Sequence, residues 1–350
     1  MIETQAKKNI RHLSAQELEA YFSEKGQPRF RAGQVYEWLW TKKARSFGEM
    51  TNLSKDLRAD LEATFLLPAL TVDTSQFSSD GTVKSRFKTV DGHFVEGVLI
   101  PTEERQTACV SSQIGCSLSC KFCATGYMGR KRNLEFDEIY DEVALLNQQA
   151  ETTYGKKLTN IVFMGMGEPL LNYRNVLRAI ERIAAPDGLG MSPRRVTVST
   201  AGVAKMIHQL GDDKVRFKLA LSLHAANDKK RSEIMPINDT NNLKALIEAL
   251  NYFYKQTAGE VTFEYILFNK FNDSLQDADE LVKLFRKVPA DLVNIIEYNP
   301  IDAARFSKPT EEVTQQFMDY LAQNRVNARL RKSRGKDIDA ACGQLANKTA

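Results

Sequence analysis

Apolar residues recur every three or four positions in SAQELEAYFSEKG and SKDLRADLEATFLL, and this spacing predicts two helices near the start of the chain. Ser14 and Ser54 stand where a helix N-cap belongs. From about Ser78 to Pro101 the pattern changes to strand-like alternation, with SRFKTV and HFVEGVLI separated by Asp91-Gly92, a favoured two-residue hairpin turn. After Cys123 a regular alternation begins: helix EFDEIYDEVALLNQQA, strand NIVFMG, helix YRNVLRAIERIAA, strand RRVTVST, a short helix near VAKMIHQL, strand RFKLALSLH. It continues with helix NNLKALIEALNYFYKQ, strand EVTFEYILF, helix LQDADELVKLFRKV, strand LVNIIEYN, helix EEVTQQFMDYLAQN and strand VNARLRKS.

Strands alternating with longer helices imply parallel βαβ units, so the fold class is α/β, a partial (β/α)6-type barrel. The expected units are a basic helical N-terminal domain over 1–75, a β-hairpin connector over 76–104, the barrel over 105–334 and a C-terminal segment over 335–350. Such barrels place their sites at the C-terminal ends of the strands. There the sequence carries Gly165, Gly167 and Glu168, then Ser199, then Ser222 and His224, then Asn299, which favours one shared pocket.

With 350 residues, 43% apolar and 26% charged, the chain is long enough for one large core and a smaller appended unit. Its start is polar, and no stretch approaches the ~18 consecutive apolar residues of a membrane span, so a cytoplasmic protein with no membrane partner is expected. A net charge of +4 is only mildly basic, so the location of the charges matters more than their sum. Lys25 to Arg45 holds six Lys/Arg against one Glu, interleaved with Phe30, Tyr36, Trp38 and Trp40. That stretch fits an aromatic core with a solvated basic rim as well as it fits an RNA-contacting face. Two further runs, Arg130, Lys131, Arg132 and Arg329, Arg331, Lys332, Arg334, Lys336, are candidate phosphate contacts, the alternative being solvated surface charge.

Five cysteines are too few and too clustered for a secreted disulfide framework, which points to metal binding or catalysis. Cys116, Cys120 and Cys123 are spaced C-x3-C-x2-C on a loop before the first long barrel helix. Three thiolates hold three irons of a cubane and leave the fourth iron open to a substrate. The alternatives are a zinc site lacking one ligand, although no second Cys or Cys/His pair lies close by, or unrelated core thiols.

With Phe122 between the last two cysteines, the motif resembles the radical-SAM superfamily. That resemblance implies a 4Fe-4S cluster whose free iron chelates S-adenosylmethionine. It further implies that Gly167 and Glu168 in M-G-M-G-E-P meet the methionine ammonium, with Ser199, Ser222, Leu223, His224 and Asn299 around the rest of the cofactor. Taken singly, each of those serves equally well as a cap or loop residue.

The motifs F-V-E-G-V-L-I-P, C-V-S-S-Q-I-G-C-S-L-S-C-K-F-C-A-T-G, G-M-G-E-P-L, S-L-H-A, M-P-I-N and I-D-A-A-C-G-Q-L follow in this order and resemble the RlmN/Cfr family of dual-cysteine RNA methyltransferases over nearly the whole chain. The resemblance implies two S-adenosylmethionine molecules per turnover: one methylates Cys342, and the second generates the radical that carries the methyl carbon to an adenine ring carbon. Glu96 matches the family's proton acceptor, and Cys109 the thiol that releases the product by forming a disulfide with Cys342. The implied partners are 23S rRNA at the peptidyl transferase centre, tRNA at the adenine beside the anticodon, and a flavodoxin-type electron donor. Pro169 resembles the RlmN branch, which implies C2 as the target carbon; C8, a radical-SAM enzyme on a non-RNA substrate, and a non-catalytic RNA-binding protein with a structural metal are the alternatives.

Overall fold

The computed structural model describes residues 7–348, so the outermost residues of the first and last expected units, 1–6 and 349–350, lie outside it. The chain opens with β1 (Lys8–Asn9), α1 (Ala15–Glu24), α2 (Phe30–Trp40), α3 (Lys55–Thr64) and β2 (Phe65–Leu66), with β1 and β2 paired in parallel. Ser14 and Glu17 form a reciprocal capping box on α1, and Ser54 caps α3, as the spacing predicts. This unit docks on the barrel through a buried Arg11–Asp141 ion pair of 2.7 Å and through Trp40, whose ring meets Tyr140 edge-on at 5.2 Å. Within the aromatic-basic stretch Trp40 is core, as the first reading has it, whereas Phe30 is 59% exposed with the Arg31 guanidinium over its ring.

A meander follows, β3 (Thr71–Phe77), β4 (Val83–Lys88), β5 (Phe94–Pro101) and β6 (Gln106–Cys109), all antiparallel neighbours. The expected hairpin is β4–β5, but its turn is longer than two residues. Thr89 N–H donates to His93 O and the Thr89 hydroxyl accepts from His93 N–H, leaving Val90–Gly92 as the loop with Gly92 at φ +82°. The meander is no free-standing connector, because β6 also pairs in parallel with the barrel and fuses both into one sheet. The sheet's first strand already begins at Thr71, inside the stretch assigned to the helical unit.

Beyond β6 come the short antiparallel pair β7 (Gln113–Ile114) and β8 (Arg132–Asn133), then α4 (Phe136–Tyr154), β9 (Asn160–Phe163), α5 (Tyr173–Ala184), β10 (Val196–Thr200) and α6 (Ala204–Asp212). The rest is β11 (Lys218–Ser222), α7 (Asp228–Ile234), α8 (Leu243–Thr257), β12 (Val261–Leu267), α9 (Leu275–Phe285), β13 (Leu292–Glu297), α10 (Glu311–Gln323) and β14 (Ala328–Arg331). The order across the sheet is β14-β13-β12-β11-β10-β9-β6-β5-β4-β3, parallel from β6 to β14. This is the α/β arrangement that the alternating pattern predicts, with the cluster loop leaving the end of β6. The four residues of β6 are too short for a periodic signal, which is why the alternation is visible in the sequence only after Cys123.

Candidate functional site

Cys116, Cys120 and Cys123 are half-buried on the loop after β6 and line one cavity with residues from the ends of the next parallel strands. Burial pushes all three thiols up, Cys116 to about 11, and for each of them a neighbouring cysteine adds to it, Cys123 for Cys116, Cys123 and Cys116 for Cys120, and Cys342 for Cys123. A metal would therefore have to displace their protons. Among the described residues no three or more His, Cys, Asp or Glu side chains gather as a single ion requires. A cubane makes a different demand, since each thiolate meets its own iron and the sulfurs stand apart. Three thiols bordering one cavity, with Glu168, Ser199, Ser222 and His224 also on its lining, fit that demand.

The loop is held from several sides. Lys121 N–H donates to Ile234 O at 3.0 Å, and Ala124 N–H to Gly343 O at 2.7 Å, which ties the cluster loop directly to the residue after Cys342. Phe122 is buried with its ring edge-on to His224 at 4.7 Å. His224 has φ +54°, and its Nδ1 accepts from Ile266 N–H at 3.1 Å, so the ring proton sits on Nε2. Burial, reinforced by the charge of Arg231, lowers its pKa to about 3 and keeps it neutral.

Gly165 and Gly167 are required by close approach. A Cβ on Gly165 would lie 2.6 Å from Ser111 Oγ, and one on Gly167, at φ +94°, would lie 2.5 Å from Gln113 Cβ. Glu168 is buried with Oε1 accepting from Leu170 N–H at 3.0 Å and Oε2 from Ala201 N–H at 2.7 Å. Burial raises its pKa against the pull of these amides. Ser199 and Ser222 share a 3.2 Å hydrogen bond on the same wall.

Of the remaining sequence candidates, Leu223 and Asn299 do not line this cavity. Leu223 is fully buried, its N–H donating to Glu264 O and its carbonyl accepting from Arg231 Nε. Asn299 Nδ2 donates to Cys342 O at 3.3 Å and so stands beside a residue that does line the cavity.

A second cavity adjoins the first and is lined by Cys109, Met164, Arg331, Lys332, Arg334 and Cys342, among others. Cys342 and Arg331 line both. Burial drives the Cys109 thiol well up, with Cys342 adding to the effect. Glu96 lines neither cavity. Its Oε2 accepts from Ala346 N–H at 2.9 Å and Asn347 N–H at 3.0 Å, while Oε1 faces Lys84 Nζ at 3.8 Å.

The basic runs are partly committed within the protein. Arg132 forms ion pairs with Asp91 and Glu138, Arg334 with Asp80, and Lys336 with Glu297, while Arg329 donates to Asn294 at 2.6 Å. Lys131 and Lys332 are exposed. Glu264, which lines the first cavity, was missed by sequence reasoning. The signal was a carboxylate inside EVTFEYILF, a strand whose other residues are almost all apolar or β-branched.

Residues 8–67 match the family described as ribosomal RNA large subunit methyltransferase N-terminal domain, and residues 110–285 match the radical SAM superfamily. A protein of Cytophaga hutchinsonii named probable dual-specificity RNA methyltransferase RlmN is 57% identical over 98% of this chain and 93% of its own length. A Geotalea uraniireducens protein named dual-specificity RNA methyltransferase RlmN is 44% identical over 97% of this chain and 96% of its own. The crystal structure of a radical SAM methyltransferase from Sphaerobacter thermophilus superposes with a TM-score of 0.91 at 41% identity, covering 97% of this chain and all of that one.

Proposed function

The chain belongs to the RlmN family of radical-SAM RNA methyltransferases, and on that premise we propose that it methylates C2 of an adenine in 23S rRNA and of the adenine beside the anticodon in tRNA. A 4Fe-4S cluster on Cys116, Cys120 and Cys123 with S-adenosylmethionine supplies, when bound, the methyl group and the one-electron chemistry. Gly167 leaves room for close approach of the cofactor's methionine end, and Ser199, Ser222 and His224 offer polar groups along the same wall. The observation that supports the reading most is that Cys342 lines both cavities, one with the cluster cysteines and the other with Cys109.

Cys342 takes the methyl group on its sulfur and presents it to the base. Once that carbon is joined to the base, the Cys109 thiolate attacks the Cys342 sulfur, so the S–S bond forms as the S–C bond breaks and the departing carbon takes the electron pair and a proton to become the methyl group. Glu96 is the proton acceptor. Two tail amides hold its Oε2, and Lys84 Nζ stands 3.8 Å from its Oε1. Lys332 and Lys131 meet phosphates. A flavodoxin-type donor supplies electrons, and the enzyme works in the cytoplasm where its RNA substrates are.

Anaerobic incubation with S-adenosylmethionine, reductant and each RNA, followed by nucleoside analysis, tests the proposal. 2-Methyladenosine is the expected product. 8-Methyladenosine would reject the C2 assignment, and unmodified RNA the function.

A further inference from the structure

Glu168 and Glu264 are the carboxylates among the described residues lining the first cavity. Backbone amides take both oxygens of Glu168. Glu264 differs: Asn294 Nδ2 donates to its Oε1 at 2.6 Å, but its Oε2, on a residue only 4% exposed, has no hydrogen-bond partner among the described residues. Arg331 Nη1 stands 3.7 Å from that oxygen, near enough to balance its charge but too far for a hydrogen bond. A buried acceptor left this way is costly unless a ligand completes it.

The sheet register explains the placement. Glu264 sits level with Ser222 and Asn294, while Arg331 sits level with Ile296, one inward-facing layer nearer the strand ends. Arg331 reaches Met164 Sδ at 3.9 Å and borders both cavities beside Cys342. Glu264 lines the first cavity, and Arg331 and Cys342 line both, so an acceptor, a donor and a thiol border one continuous space.

Adenine carries the complement along its Watson–Crick edge: the N6 amino donor, the N1 acceptor, then C2–H. We propose that Glu264 and Arg331 read the target adenine, with Glu264 Oε2 accepting from the N6 amino group and Arg331 donating to N1, so that C2 is laid against Cys342. The inference rests on the adenine-C2 reading above. A hydrogen bond donated to N1 also draws electron density from the adjacent C2, which favours attack there by an electron-rich carbon. The N7 edge shows the same order of amino group, ring nitrogen and C–H, so the test includes a base altered at N7.

The experiment uses full-length, iron-loaded enzyme and anticodon stem-loops carrying adenine, purine (which lacks the amino group) or 7-deazaadenine at the target. Wild type should prefer adenine to purine by about ten- to a hundredfold in kcat/KM and in equilibrium binding without reductant, and should accept 7-deazaadenine. Glu264→Gln keeps an oxygen for Asn294 and puts an amide N–H where the free acceptor stood, so the preference should fall to about one. Arg331→Gln should lower both substrates alike and keep the preference, because N1 is common to them.

Iron content and S-adenosylmethionine binding serve as controls on both variants. An unchanged adenine-to-purine preference in Glu264→Gln overturns the proposal, as does weakened S-adenosylmethionine binding with the preference intact, which would make Glu264 a cofactor residue. Rejection of 7-deazaadenine overturns the N1 edge. Should Glu264→Gln fail to load iron, a wild-type preference near one overturns the proposal alone, and the Arg331→Gln pattern supports it. Wild type that leaves adenine RNA unmodified defeats the functional reading itself, a result distinct from all of these.

Discussion

The two cavities that meet at Cys342 are built in different ways. The first takes its walls from the cluster loop and from β9 to β14 with the loops that leave them, and Ser199, Ser222, Glu264, Ile266, Ile296 and Arg331 stand where strand register puts them. The second is closed on one side by the tail, which is held by a few polar contacts: Asn299 to Cys342 O, Thr125 Oγ1 to Leu345 O at 2.7 Å, and Glu96 to the amides of Ala346 and Asn347. A wall made of parallel strands resists local change, whereas a strap held by side-chain hydrogen bonds opens at lower cost. Under the function proposed above, the difference assigns rigidity to cofactor binding and movement to the thiol of Cys342.

Four changes separate the two halves, from the largest effect to the smallest. Cys120→Ala removes a proposed cluster ligand, so iron and sulfide content should collapse and nucleoside methylation should fall below about a thousandth, while the tail stays docked. Retained iron with full activity would break the assignment of the first cavity. Glu96→Ala leaves the tail amides of Ala346 and Asn347 without an acceptor. Losing that partner costs about 1–3 kcal/mol locally, so those amides should exchange with deuterium about ten- to a hundredfold faster at unchanged iron content.

The third change tests pH. Burial works to raise Asp80, but hydrogen bonds from Thr82 and from Gly335 at the entry to the tail outweigh it and bring the carboxyl down to about 2. A depressed folded pKa gives stability that is complete above the ordinary carboxylate value and is lost as pH falls toward about 2. Thermal unfolding of the iron-free protein should therefore weaken with acid less steeply in Asp80→Asn than in wild type, and parallel curves would count against the tie. Last, Lys332→Ala at the rim of the second cavity should lower the slope of log affinity for RNA against log salt by about one, leaving iron content alone.

Much of the fold was readable along the chain because helices and strands announce themselves through local periodicity. The alternation from α4 to β14 is of that kind, and so are the caps at Ser14 and Ser54. The four-residue β6 was not, and the hairpin turn was misjudged because Thr89 and His93, outside the Asp91-Gly92 pair, close it. The cysteine spacing and the Gly-Glu segment were legible for the same local reason: their chemistry lies within a dozen residues of sequence.

What the chain alone determined, then, is its sequence of elements, its α/β class and the clustered thiols, since each follows from neighbours a few positions apart. Tertiary structure decided that Asn299 and Glu96 hold the tail, that Leu223 is core, and that Glu264 keeps a free oxygen beside Arg331. Those outcomes join residues separated by 43 to 251 positions in the case of the tail contacts, and no local pattern encodes them. Only packing of the sheet and its strap brings such groups to bonding distance and fixes which of them are satisfied.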